Sequence, residues 1–298
     1  MGKILFYILY GFLWLLTLLP FRVLYLISDL LFVLVYGVFR YRRKVVIQNL
    51  TKAFPEKTEA ERRKIAYRFY RRLVDYFFET IKLMHLSDKA IKKRLRYDSD
   101  YLKIKEQEGI NVVCMLGHTI NWEWVSAISL QVNTHWIIPY HPLQDSAYFD
   151  DFMIQLRSRF GAELVPMKKT YKRLMEIQKS GEHFMAGMIA DQSPANVKNR
   201  HWINFLNQDT AVMEGSERIA QKTSAAVVYA KMIRIKRGYY KVVPIEITAN
   251  AREEEDLFVT KRYYEILEEH IREQPENWLW SHRRWKRQRP KEEKLIKK

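Results

Sequence analysis

Apolar positions along the chain follow three patterns. From Ile4 to Phe21 the chain carries no charge, and a helix over that stretch would run roughly 27 Å. Pro20 and Arg22 interrupt it, and a second apolar run from Val23 to Phe39 is broken only by Ser28 and Asp29 before the basic run RYRRK at 40–44. After Pro55, Thr58 and Glu61 form a capping-box pattern, which predicts a helix to about Met84. Ile65, Phe69, Leu73, Phe77 and Ile81 would form its inner stripe, with Arg62, Arg63, Arg71 and Arg72 on the other side. Beyond residue 110, short apolar runs alternate with amphipathic stretches. The runs predict strands at 111–116, 134–140, 162–167, 183–190, 225–235 and 239–247, and the stretches predict helices at 122–131, 145–160, 170–179, 213–222 and 258–273.

Strands separated by helix-length segments predict an α/β fold with a mixed, mostly parallel central sheet flanked by helices. With no repeat and no low-complexity linker, the domain division is an anchor with its basic flank at 1–44 and one catalytic domain at 45–298. The apolar start is too long for a signal peptide, and no small-residue cleavage site follows it. Membrane attachment is expected, with Arg40, Arg42, Arg43 and Lys44 on the cytoplasmic side; one span, a hairpin and an interfacial anchor all remain open.

Charge narrows the partners. The 298 residues hold 51 Lys and Arg against 34 Asp and Glu, a formal net charge of +17, which favours an anionic partner such as a phospholipid surface, an acidic protein or a nucleic acid. Cys114, the single cysteine, lies in an apolar run and reads as a buried free thiol.

The chemistry-bearing stretch is MLGHTINWEW at 115–124, which sets His118 and Glu123 directly after an apolar run. Five residues apart on an ideal helix they would lie on different faces. With His118 in the turn after the strand, Asn121 as N-cap and Glu123 in the first helical turn, the two can meet at the carboxyl end of a strand, where open α/β sheets place ligands. In that arrangement Glu123 orients the imidazole and His118 accepts a proton from a substrate hydroxyl.

GHTINWE resembles the His-x4-Asp/Glu block of the glycerolipid acyltransferase superfamily. More narrowly, the chain resembles the bacterial late acyltransferases of lipid A biosynthesis, the lauroyl/myristoyl transferase family. RSRFG (157–161) is similar to that family's Arg-containing segment, MIADQSP (188–194) to its Asp-Gln strand end, and NWLWSHRRWKRQRP (277–290) to its carboxyl-terminal block; NLTKAFP (49–55) also fits. One departure is Ala190 before Asp191, where many relatives carry Pro. The resemblance implies transfer of a fatty acyl chain from an acyl carrier protein or coenzyme A thioester to a hydroxyl of a lipid A precursor, at the inner face of the bacterial cytoplasmic membrane. It implies His118 and Glu123 as catalytic residues and substrate contacts at Asn121, Arg159, Asp191 and Gln192. Acyl carrier protein is the expected partner, beside the anionic bilayer, and Arg283, Arg284, Lys286 and Arg287 are the expected docking cluster for carrier or lipid. The alternative for that cluster is structural, with Trp278, Trp280 and Trp285 packed and the arginines paired internally. The developing oxyanion would take donors from Arg159 or from backbone N–H groups at the new helix start.

No metal or cofactor is expected. The chain has no Cys-x-x-Cys pair, no His-Glu-x-x-His helix, no Gly-x-Ser-x-Gly elbow and no Gly-rich phosphate loop. Two rivals stand beside this reading. One is a related acyltransferase acting on another phosphoglycolipid or aminolipid. The other is a non-enzymatic, basic membrane- or nucleic-acid-binding protein; nucleic acid is disfavoured because it explains neither the apolar start nor the His/Glu block.

Overall fold

The computed structural model describes residues 3–98, 100–143, 147–194 and 201–296. The apolar start forms two helices, α1 (Lys3–Leu18) and α2 (Phe21–Val33), broken at Pro20, and α2 continues through a π-helical turn at Leu34–Val38. Phe21–Val38 is long and apolar enough to cross a membrane, by length and composition, and only 17% of it is buried. Then come α3 (Arg43–Ala53) and α4 (Glu59–Lys82), which starts at the expected capping box: Thr58 Oγ1 accepts from the Glu61 backbone N–H, and the Glu61 carboxylate accepts from the Thr58 N–H. The buried stripe of α4 differs from the strict four-residue series. Ile65, Phe69 and Ile81 are buried as expected, but four residues turn a helix by about 400°, so such a series drifts; in the second half Val74, Asp75, Phe78 and Glu79 also turn inward, while Phe77 is 44% exposed.

Ser28 and Asp29, the polar pair in the second apolar run, explain how α2 is held. Ser28 Oγ donates to Asp75 Oδ1 (2.8 Å), and Arg237 bridges the Asp29 and Asp75 carboxylates. Lys82 Nζ donates to the carbonyls of Thr17 and Leu19, at the hinge between α1 and α2. Leu24 and Phe32 of α2 enter the same apolar cluster as Phe69 and Phe78 of α4. The two N-terminal helices therefore pack along α4, and their outward faces stay apolar, with Ile8, Phe12, Leu15, Leu26 and Leu30 all exposed.

The chain continues through α5 (Asp88–Arg94), β1 (Leu95–Tyr97), α6 (Asp100–Gln107), β2 (Val112–Leu116), a 3₁₀ helix at Trp122–Gln131, β3 (His135–Tyr140), α7 (Ala147–Ser158), β4 (Glu163–Pro166), α8 (Met167–Lys179) and β5 (Phe184–Ile189). Next are the hairpin β6 (Trp202–Phe205) and β7 (Gln208–Ala211), then α9 (Gly215–Thr223), β8 (Ala226–Lys236), β9 (Tyr239–Thr248), α10 (Phe258–Glu273) and β10 (Leu295–Ile296). Seven strands form the central sheet in the order β1-β9-β8-β2-β5-β3-β4, with every neighbouring pair parallel except β8/β9. This is the expected mixed, mostly parallel α/β architecture. The start expected for the helix before Arg157, residues 145 and 146, lies outside the described residues. Every residue of β2 is buried, as its unbroken apolar run requires of a central strand covered on both faces. Val113 and Met115 join the cluster shared with α4, α8 and α10, and Val112, Cys114 and Leu116 join the cluster of α5, α6 and α7. Cys114 is a free, buried thiol whose pKa burial pushes up to about 12, so it is inert at neutral pH.

A second, three-stranded sheet, β10-β6-β7, holds the end of the described chain. The basic tail is thus folded onto a hairpin, and Arg289 donates to Asp209 at 2.8 Å.

Candidate active site

β2 and β5 are parallel neighbours, with Leu116 opposite Ile189. Extending both chains two residues past that pair brings His118 beside Asp191. His118 Nδ1 donates to Asp191 Oδ1 at 2.5 Å, and the His118 backbone N–H donates to Asp191 Oδ2 at 2.8 Å. Asp191 is 1% exposed, and Trp278 Nε1 donates to its Oδ2 at 2.7 Å. Burial alone would raise the Asp191 pKa, but the His118 charge and the hydrogen bonds from His118 and Trp278 outweigh it and hold the carboxyl below its usual value. With its Nδ1 proton committed to a carboxylate, the imidazole presents the Nε2 lone pair, to which Gln192 Nε2 donates at 3.0 Å.

Local backbone sets this geometry. A Cβ on Gly117 would lie 2.6 Å from Leu267 Cδ1 of α10, so any larger residue there would push the end of the Leu267 side chain aside, while Asp191 Oδ2 would stay at an ordinary 3.4 Å. Ile120 sits at φ +52°, an unfavourable value for a β-branched residue, and its N–H donates to the Asn277 carbonyl at 2.7 Å. Leu279 N–H donates to the His118 carbonyl, so the carboxyl-terminal segment runs directly across the turn. Asn49 ties that segment to α3, its Nδ2 donating to the carbonyls of Trp280 (2.8 Å) and His282 (3.0 Å). Trp278 packs edge-on against Trp280 at 4.8 Å and meets Trp285 at 5.7 Å.

Several expected partnerships are replaced by others. Glu123 does not orient His118. Asp191 occupies Nδ1, the Trp122 ring lies against the imidazole at 4.9 Å, and Glu123 turns towards α7. There it accepts two hydrogen bonds from Arg157, at 2.6 and 2.7 Å, and a longer one from the Tyr76 hydroxyl. Arg159, just beyond α7, donates from its Nη1 to the carbonyls of Leu83 and Met84 at the end of α4. Asn121 makes no side-chain cap; its Nδ2 donates to Glu79 Oε2 at 2.9 Å. The helix it precedes is 3₁₀ rather than α, an unusual length for that tighter winding. In the carboxyl-terminal cluster, Arg284 is 2% exposed and donates to the Ala211 carbonyl and the Tyr264 hydroxyl, so it is structural and unavailable for docking. Arg283 and Lys286 are exposed, and Arg287 is half-buried.

Arg157, Trp278 and Glu79 enter this neighbourhood without having been singled out as site residues. Glu79 is fully buried, takes hydrogen bonds from Tyr25, Tyr240 and Asn121, and is pushed by burial up to about pKa 7. Its signal was present in the sequence: Asp75 and Glu79 lie one helical turn apart on the stripe that also carries Val74 and Phe78, and buried carboxylates demand partners.

The site combines a carboxylate-held histidine, at the carboxyl end of a central parallel strand, with residues drawn from four separated segments. The model of the bacterial lipid A biosynthesis acyltransferase family matches residues 1–287. The chain belongs to this family. No curated protein matches it. Membership makes it an acyltransferase, and it implies a lipid A precursor as acceptor. All of the segments that meet around His118 lie within the matched span of this lipid A acyltransferase.

Proposed function

We propose that the protein moves a fatty acyl chain from a thioester donor to a secondary hydroxyl of a lipid A precursor, with His118 as general base and Asp191 as its orienter. The observation that carries this is the Asp191–His118–Gln192 line, which leaves Nε2 as the basic nitrogen. The acceptor hydroxyl takes the position of the Gln192 amide and gives its proton to His118 Nε2 as its oxygen bonds to the thioester carbonyl carbon. The tetrahedral intermediate collapses, the C–S bond breaks, and the departing thiolate takes the proton from Nε2. Backbone N–H groups at the start of the Trp122–Gln131 helix serve the oxyanion in this reading. The chemistry requires no metal or cofactor.

The donor is read as acyl carrier protein, because a +17 chain suits a strongly acidic carrier. Purified protein given a lipid A precursor should add the mass of one acyl chain, and it should use a carrier-protein thioester better than a coenzyme A thioester of equal chain length. The advantage should shrink as salt rises towards physiological strength. Reversing the exposed charges of Arg283 and Lys286 should lower kcat/KM for the carrier donor more than kcat. Equal use of both donors with no salt dependence would remove the carrier reading, while no mass gain with either would remove the function.

Attachment is read as the outward apolar faces of α1 and α2 resting in the inner membrane, the catalytic domain on the cytoplasmic side. Asp29 and Ser28 are held by the domain midway along α2, which favours helices lying in the interface over a free span. Replacing Ile8, Phe12, Leu15 and Leu26 by Ser leaves the packed residues Leu24 and Phe32 in place and should release the protein from anionic vesicles in a flotation assay. Unchanged flotation would show that these faces are not the membrane contact.

A further inference from the structure

Glu79 of α4 is 0% exposed, and among the described residues the groups that donate to its carboxylate are all neutral. Tyr25 of α2 gives its hydroxyl hydrogen to Oε1 at 2.8 Å, while Asn121 Nδ2 (2.9 Å) and the Tyr240 hydroxyl of β9 share Oε2. The same residue holds a fourth group through its main chain, since Trp124 Nε1 donates to the Glu79 carbonyl at 3.0 Å. Asn121 and Trp124 flank Trp122, whose ring lies against the His118 imidazole at 4.9 Å. One residue of α4 therefore grips the chain on both sides of the ring that touches the candidate base.

Stability alone would not select this grip. A buried carboxylate facing no cation costs free energy, and apolar side chains in place of all four groups would fill the space without that cost. What the carboxylate adds is direction: it only accepts, so donors from three separate parts of the fold must all point at it. The chain it holds needs such support. Ile120 sits in the left-handed region, and the residues after Asn121 wind as a 3₁₀ helix, a form that rarely sustains itself beyond about three or four residues. Asn121 gives its side chain to Glu79 instead of capping that helix. We propose that Glu79 is a positioning residue for acyl transfer: its carboxylate sets the turn 120–122, and with it the Trp122 wall beside His118, and through Tyr25 it ties that setting to the seat of α2 on the domain. The role of His118 rests on the function proposed above; the hold on Trp122 does not.

The test compares full-length Glu79→Gln, Asn121→Leu and Tyr25→Phe. Replacing Glu79 strands no cation, unlike replacing Glu123, which strands Arg157. Burial pushes the Glu79 pKa up to about 7. A carboxyl raised in this way stabilises the fold below its unfolded pKa and loses that contribution as pH rises through the folded value, so at about pH 8 the amide should melt no lower than wild type. Its kcat should nevertheless fall roughly ten- to hundredfold, the scale of a slightly displaced site, with KM for both substrates little changed. Asn121→Leu should lower kcat to the same degree, and combining the two should add little, as for residues acting through one contact. Tyr25→Phe should lower kcat severalfold. In protein labelled with fluorotryptophan, the fluorine NMR signal of Trp122, identified by its loss in Trp122→Phe, should move in all three variants. This reading needs no turnover, so it judges the hold on the ring even where the base is not His118. Wild-type kcat and an unmoved Trp122 signal in folded Glu79→Gln would overturn the proposal. So would losses in Glu79→Gln and Asn121→Leu that multiply, or a Tyr25→Phe protein identical to wild type in both readings. A rate that falls only as far as the melting midpoint does would reduce Glu79 to a structural residue and overturn it as well.

Discussion

His118→Ala is expected to lower acyl transfer by about a hundred- to ten-thousandfold while the thermal unfolding midpoint stays near that of wild type. The imidazole stands at the meeting of β2 and β5, and its Nδ1 is held by a carboxylate two residues past the neighbouring strand. A secondary alcohol is a poor nucleophile at neutral pH, so loss of the base should appear in kcat. Asp191→Asn tests the orienter. The amide still fills the space, but it can turn its NH₂ towards Nδ1 and reverse the tautomer, moving the proton to Nε2 and blocking proton acceptance. A loss in kcat comparable to that of His118→Ala is expected. Near-normal turnover by a folded His118→Ala protein would sink the mechanism; full activity of Asp191→Asn would show that the Asp191 contact is only structural.

How much of this was legible depends on the range of each interaction. The six strands expected beyond residue 110 are present to within about two residues at each end, because a buried central strand such as β2 must be an unbroken apolar run. β1, β6, β7 and β10 were not anticipated. They are two to four residues long, too short for a periodicity to register, and β1 and β10 also pair with partners remote in sequence. His118 is legible from its place directly after an apolar run, and Asp191 and Gln192 through the family resemblance of MIADQSP, but their pairing is not. The carboxylate near in sequence, Glu123, looked like the orienter. The actual partner lies 73 residues away and is chosen by sheet order, which local patterning does not encode. The same holds for RSR at 157–159. Two arginines two residues apart on a helix end point in different directions, and only the packing of α7 against the 3₁₀ helix decides that Arg157 meets Glu123 while Arg159 meets the end of α4. The carboxyl-terminal block was read as a docking cluster from its charge. Its tryptophans, however, draw it over the turn and carry Arg284 inside, leaving Arg283 and Lys286 on the surface.

Glu123→Gln should separate position from chemistry. The Glu123 side chain is 4% exposed and forms a two-point pair with Arg157, whose side chain is 26% exposed. Removing one partner of a buried pair leaves the other charge uncompensated, which typically costs about 3–5 kcal/mol, and the partial exposure of Arg157 favours the lower figure. For a chain of this size about 3 kcal/mol corresponds to a fall in Tm of roughly 6–12 °C. Arg157→Met should cost a similar amount by stranding the carboxylate. The double variant should recover part of the loss, since with both charges removed neither is left buried and uncompensated. If Glu123 acts by fixing the 3₁₀ helix that carries Trp122 against His118, these variants lose stability first. Activity of their folded fraction at low temperature should then fall far less than in His118→Ala. A Glu123→Gln protein that melts with wild type but has lost its rate as completely as His118→Ala would contradict this and place the Glu123–Arg157 pair in the chemistry itself.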